Sequence, residues 1–259
     1  MTEGGYSAAS DWFAAYVNGF RDAGGALPPA LQLKLEHSLR VAEDAGRIAA
    51  ELGRDPAYVR LARAAGLLHD IGRFAQFSSS GNFSDSSSDH GEAGAGVMAS
   101  RSGEFISDPA EAALITCSVR WHNRRTGDIP GDLAGPEAAL LLLVRDADKL
   151  DIIPLLLNHL ENAPELDPVV CLGVTREPGR YNPALLEDLE RRRLASYDQL
   201  RYENDLRLLA AGWTYDLNFA ASRRIFADQG LLERLFRTLP PEERLLRLRR
   251  QIETDLHAS

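Results

Sequence analysis

The stretch Leu67-Leu68-His69-Asp70-Ile71-Gly72-Arg73-Phe74 decides how the rest of this chain is read. A histidine and an aspartate stand side by side at the end of an apolar helical run, just before a glycine, and adjacent side chains of this kind can hold one metal ion between them. The dipeptide alone carries little weight. Four further ligand-type residues, His37, His90, His122 and Asp148, each fall on the apolar face of their own predicted helix, and the six together form a candidate two-metal site.

Working outward, the spacing predicts a helix from about Pro29 to Leu52. In it His37, Val41, Ala45, Ile48 and Leu52 share one stripe, and Gly53 stops it. Asp55-Pro56 caps the next helix, where Tyr58, Ala62, Ala65 and His69 lie on one face and deliver the His-Asp pair. Residues 78–89 turn abruptly to serine, glycine, asparagine and aspartate, which compete with helix for backbone hydrogen bonds and bury little. They read as a surface loop, with a lid over the site as the sharper alternative. His90 opens a short helix. Asp108-Pro109 caps another that aligns Ala112, Ile115, Val119 and His122, and a strongly apolar helix from about Glu137 carries Leu141, Val144, Asp148 and Ile152.

Upstream, residues 8–21 have helical spacing and end at Gly24-Gly25. Downstream, residues 161–182 read as an irregular connection. Residues 184–209, 213–228, 231–239 and 242–256 follow as amphipathic helices, with Arg191-Arg192-Arg193 on a solvated helical face. No strand-like alternation of convincing length occurs. The expectation is one all-α domain over 1–259, with a metal-binding core at about 30–155 and a helical C-terminal extension at about 183–257.

The composition agrees. Of 259 residues 44% are hydrophobic, ample for a buried core, and a formal net charge of -9 with pI near 5.2 argues against a surface that gathers nucleic acid or anionic lipid. The two cysteines, Cys117 and Cys171, have no CxxC spacing, so neither a disulfide framework nor a thiolate zinc site is indicated. No signal-peptide pattern and no apolar run near the ~20 residues of a membrane span is visible, so a cytoplasmic location is expected.

Burying several imidazoles and two carboxylates in one core is costly unless they are paired or coordinate a cation. With the order of donors on the page, the chain resembles the HD-domain superfamily of metal-dependent phosphohydrolases, whose pattern is H...HD...D on a helical core. His37 in Glu-His-Ser-Leu-Arg-Val-Ala matches the first histidine, His69-Asp70 the signature pair, and Asp148 in Arg-Asp-Ala-Asp-Lys-Leu-Asp the last aspartate. His90 in His-Gly-Glu-Ala-Gly and His122 in Trp-His-Asn resemble the extra histidines of two-metal members. The resemblance implies that His37, His69, Asp70 and Asp148 bind a first divalent metal (manganese, iron, cobalt, nickel or zinc), that His90 and His122 bind a second, and that Asp70 bridges. It implies hydrolysis of a phosphoester in a small molecule or nucleotide; an HD-type di-iron oxygenase and a noncatalytic sensor are the alternatives.

Asp146 lies two residues before Asp148 and points elsewhere on a helix, whereas Asp151 shares the face of Asp148 and reads as a partner that holds a histidine or a lysine. Arg73, Arg124, Arg125 and Lys149 adjoin the donors; Arg73 and Lys149 are the better candidates for a substrate phosphate, beside Asp70 in the chemistry. The Gly-Tyr-Pro signature of cyclic-dinucleotide hydrolases is replaced here by Trp-His-Asn-Arg-Arg-Thr-Gly-Asp-Ile-Pro, and the Glu-Asp pair of alarmone hydrolases is not evident.

Overall fold

The computed structural model describes the whole chain except Ser84, Ser86, Ser87, Val169 and Ser259. The chain folds as two compact units, Met1–Asp151 and Ile152–Ser259. The architecture is all-α; among the described residues the only β pairing is an isolated bridge between Thr175 and Tyr202.

In the first unit, α1 (Glu3–Asn18) begins earlier and ends sooner than the periodicity predicts, because the Thr2 hydroxyl accepts from the Gly5 amide and nucleates the first turn. The next two helices, α2 (Pro29–Glu51) and α3 (Pro56–Leu68), start on prolines that supply no amide where none is needed, and Asp55 caps α3 through the amides of Ala57 and Tyr58. They pack face to face across Gly66, where a Cβ would stand 2.8 Å from the carbonyl oxygen of Val41. After a turn at His69-Asp70 comes α4 (Ile71–Ser80), which the composition of residues 78–80 does not predict. Ser79 and Ser80 stay helical by turning their hydroxyls back onto the carbonyl of Gln76, so the helix closes only at Gly81, whose φ is +71°. The reading of 78–89 as loop or lid falls partly on Ser84, Ser86 and Ser87, outside the described residues.

Asp89 caps α5 (His90–Arg101), and Asp108 caps α6 (Pro109–Trp121). Gly72 lets α4 and α5 meet backbone to backbone, since a Cβ there would collide with the carbonyl oxygen of His90 and stand 2.7 Å from the amide of Gly94. This close approach is what brings the start of α5 beside the His-Asp turn. The long α7 (Gly135–Asn162) follows, with Pro154 inside it. Val41, Ala45, Ile48, Ala65, Leu68, Ile71, Phe74, Ile115, Val119, Leu141 and Val144 are buried in this unit, so most of each predicted apolar stripe reaches the core, while Leu52, Tyr58 and Ala112 stay partly exposed.

In the second unit the predicted helix over 184–209 is two helices, α8 (Pro183–Glu190) and α9 (Glu203–Gly212). Arg192 sits at φ +56°, and the amides of Arg192 and Arg193 bond back to the carbonyls of Leu189 and Asp188. That pair of bonds ends a helix in the way a glycine usually does. The run 191–193 therefore lies past a helix end instead of on a helical face. Asp205 then gathers the amides of Asn182, Arg201 and Tyr202 at 2.6, 2.8 and 2.9 Å, fixing the start of α9. The expected helix over 213–228 is likewise divided into a 3-10 turn at Trp213–Asp216 and α10 (Ala220–Asp228). The unit closes with α11 (Leu231–Phe236) and α12 (Glu243–His257). Cys117 and Cys171 are free, and no helix among the described residues is long and apolar enough to cross a membrane.

Candidate metal centre

The six donors come from five places in the first unit: His37 from α2, His69 and Asp70 from the turn between α3 and α4, His90 from the first residue of α5, His122 from the end of α6, and Asp148 from α7. The four histidines and Asp70 are buried; Asp148, with its side chain a quarter exposed, is the most open of the six.

Helix ends leave carbonyls without intrahelical partners, and two of the histidines use them. His69 follows the last residue of α3 and its Nδ1–H donates to the Gly66 carbonyl at 2.6 Å; His122 follows the last residue of α6 and donates to the Val119 carbonyl at 2.8 Å. A carbonyl can only accept, so both rings carry a proton on Nδ1 and turn Nε2 toward the site. Carboxylates orient the other two. His37 Nδ1 is 2.6 Å from Asp151 Oδ2, and His90 Nδ1 is 2.8 Å from Asp85 Oδ1.

All four Nε2 atoms then converge. His37 and His69 meet at 3.2 Å and His90 and His122 at 3.0 Å, Nε2 to Nε2. The Asp70 carboxylate lies between the pairs and divides its oxygens: Oδ2 is 3.6 Å from both His37 and His69, while Oδ1 is 3.2 Å from His90 and 3.4 Å from His122. Asp148 Oδ1 is 3.1 Å from His37 and 3.7 Å from His69, so it joins the first pair. Among the described residues, two sets satisfy the proximity a metal ion requires, His37/His69/Asp70 and Asp70/His90/His122.

The arrangement suits a cation. Two imidazole lone pairs facing each other at 3.0 to 3.2 Å repel unless something positive stands between them, and nitrogen with carboxylate oxygen is the donor set of divalent transition metals. Burial pushes the Asp70 carboxyl up, but Lys34 and the imidazoles around it hold it well below the usual carboxylate range; the same contest, with His37 and His69 prevailing over burial, keeps Asp148 ionised. Burial drives the His122 pKa down to about 4, which keeps that ring neutral at pH 7. His37 goes the other way. Burial and Lys34 act to lower its pKa, but hydrogen bonds to Asp148 and Asp151 outweigh them and raise it.

The surrounding residues are only partly those the sequence points to. Asp151 holds His37, as its place on the helix predicts, and is itself clamped by Arg40 at 2.5 and 3.1 Å. Asp146 is buried. Arg73 places Nε 3.7 Å from Asp70 Oδ1, while its Nη1 donates to Asp85 and to the carbonyl of Phe83. Arg124 pairs with Asp89 at 2.8 Å, and Lys149 Nζ donates to the Arg145 carbonyl one turn back. Three neighbours escape a reading of the sequence alone. Lys34 Nζ is 2.6 Å from Asp70 Oδ2; a signal for it exists, since Lys34 lies one helical turn before His37. Asp85 on His90 and Asn123, whose Nδ2 lies 3.3 Å from His90 Nδ1, sit outside any helix and leave no periodic trace.

No solved structure matches the chain. Residues 35–153 match the model of the HD domain family, a segment that begins two residues before His37 and contains all six donors. Residues 35–153 of this chain are an HD domain, of a superfamily whose members are generally metal-dependent hydrolases.

Proposed function

We propose that the protein is a binuclear metal-dependent phosphohydrolase acting on a phosphoester of a small molecule or nucleotide, with His37, His69, Asp70 and Asp148 holding one divalent cation and Asp70, His90 and His122 the other. The observation that carries this reading is the division of Asp70, one oxygen facing each histidine pair. Cations at such paired positions supply Lewis-acid polarisation of a phosphoryl oxygen and a water acidic enough to attack phosphorus at neutral pH.

The chain's own residues do the rest. Asp151, the two helix-end carbonyls and Asp85 fix the imidazoles in the tautomer that offers Nε2, so the donor geometry is set before substrate arrives. The exposed edge of Asp148 marks the open side of the cluster, and Lys149, the next residue on α7, is the group we assign to the incoming phosphate there. Lys34 Nζ, bonded to Asp70 and 14% exposed, is placed to neutralise a phosphoryl oxygen on the other flank. Arg73 belongs to the same cationic rim, and its bonds to Asp85 and the Phe83 carbonyl give it a second duty of holding the segment that follows α4.

The test is to load the protein with manganese, iron, cobalt, nickel or zinc and screen phosphomonoesters, nucleotides and cyclic nucleotides for phosphate release. Turnover with two metal equivalents, with Lys34→Met and Lys149→Met raising KM while leaving metal content unchanged, is the expected result. A fully loaded protein inert across the panel, with a mixed-valent di-iron signal in its electron paramagnetic resonance spectrum, would replace this reading with an oxygenase on the same donors.

A further inference from the structure

Three of the four Nδ1 partners belong to the helical frame: Asp151 stands on α7, and Gly66 and Val119 are carbonyls of the histidines' own helices. His90 is different. Its partner, Asp85, belongs to the non-helical segment between α4 and α5, and the Asp85 side chain is more than a third exposed.

The carboxylate is nevertheless held from several sides. Its Oδ1 accepts from His90 Nδ1 at 2.8 Å, from Arg73 Nη1 at 3.0 Å, from Gln76 Nε2 at 3.0 Å and from the His90 amide at 3.4 Å; Oδ2 faces His90 Nδ1 at 3.0 Å and Arg73 Nη2 at 3.5 Å. Gln76 is buried and also donates to the Ser88 carbonyl at 2.6 Å, so a single side chain of α4 holds the segment at Asp85 and at Ser88. Arg73 does the same through the Phe83 carbonyl at 2.7 Å.

We propose that Asp85 is a positioning residue for the second metal: through His90 it sets the affinity of the Asp70/His90/His122 position, and Arg73 and Gln76 hold it there. The inference rests on the binuclear reading and extends it. A carboxylate on the far nitrogen of a metal-binding imidazole fixes the ring and makes Nε2 more basic, and removing such a partner typically weakens metal binding by about 10–100-fold. Among the described residues, the second position alone has a histidine whose Nδ1 partner is a side chain of that non-helical segment. We take this position as the weaker of the two, because that partner is more than a third exposed to solvent.

The experiment is a calorimetric titration of the metal-free full chain with Mn²⁺, for the unaltered protein, Asp85→Ala and Asp85→Asn, with elemental analysis of the saturated samples. The unaltered protein should take up two equivalents with separable affinities. Asp85→Ala should lose about 10–100-fold at the weaker step alone. Asp85→Asn, whose amide oxygen still accepts from Nδ1 and whose volume is unchanged, should lose less and guards against a folding defect. A general structural role would weaken both steps together. Two equivalents with unchanged affinities in Asp85→Ala would overturn the role of Asp85 while leaving the binuclear reading intact. A single equivalent in the unaltered protein would overturn both.

Discussion

Replacing Asp70 with asparagine keeps the side-chain volume and removes the one charge shared by both histidine pairs. In the metal-free protein Oδ2 is 2.6 Å from Lys34 Nζ and 3.6 Å from His37 and His69, and Oδ1 is within 3.4 Å of His90 and His122. The amide must turn its NH2 toward one of these pairs, and there it donates a proton where a metal needs a lone pair. Losing even an outer partner of a metal ligand costs about 10–100-fold in affinity, roughly 1.4–2.7 kcal/mol, and here the loss falls on a direct donor at both positions. Asp70→Asn should therefore retain well under one equivalent of metal after gel filtration and show no measurable turnover. Its metal-free form should lose about 1–3 kcal/mol in urea unfolding, the cost of leaving the ammonium of a mostly buried lysine without its partner. Two retained equivalents, or unimpaired turnover, would refute the assignment of Asp70 as the shared donor.

Other predictions separate the two positions. His122→Ala should bind about one metal fewer than the unaltered protein by elemental analysis, with the tighter calorimetric step preserved, because His37, His69 and Asp148 do not contact it through a shared Nδ1 partner. Gly72→Ala should destabilise the fold by roughly 1–3 kcal/mol in urea and weaken the second metal step, since the new methyl meets the His90 carbonyl. Stability in a chelator should fall with acidification. His122 has a folded pKa near 4 against an ordinary 6.5, so the unfolded chain binds its proton first, and this contribution is present above pH 6.5 and lost as pH falls toward 4. The full effect is about 3 kcal/mol. Urea titrations between pH 7 and 4 check it, and His122→Gln should flatten that part of the slope.

Some helix boundaries are open to inspection in the sequence, and the reason is local. Gly53 ends α2 at φ +68° with its own amide and that of Arg54 bonded back to Ala50 and Ala49, a termination any reader of glycine can foresee. Arg192 ends α8 by the same pair of bonds, but with a residue that seldom adopts that conformation, so periodicity carries the expected helix through to Leu209. Ser79 and Ser80 mislead in the opposite sense, since their hydroxyls bond to the very helix that serines tend to interrupt. The six donors are legible because five of them lie on helices with apolar periodicity or at the ends of such helices, and periodicity reports which way a side chain faces.

Distances between helices are another matter. That Asp70 divides its oxygens, that Asp85 crosses from a serine-rich segment to His90, and that Lys34 reaches the shared carboxylate all depend on how α2, α4 and α5 approach one another. The sequence by itself determined an all-helical chain with six metal-type donors turned inward. Tertiary packing, through the bare backbone at Gly66 and Gly72, decided which donors stand within reach of one ion and which side chains steady them. The physical reason is that facing is written in each helix alone, whereas a separation of about 3 Å is a property of two backbones at once.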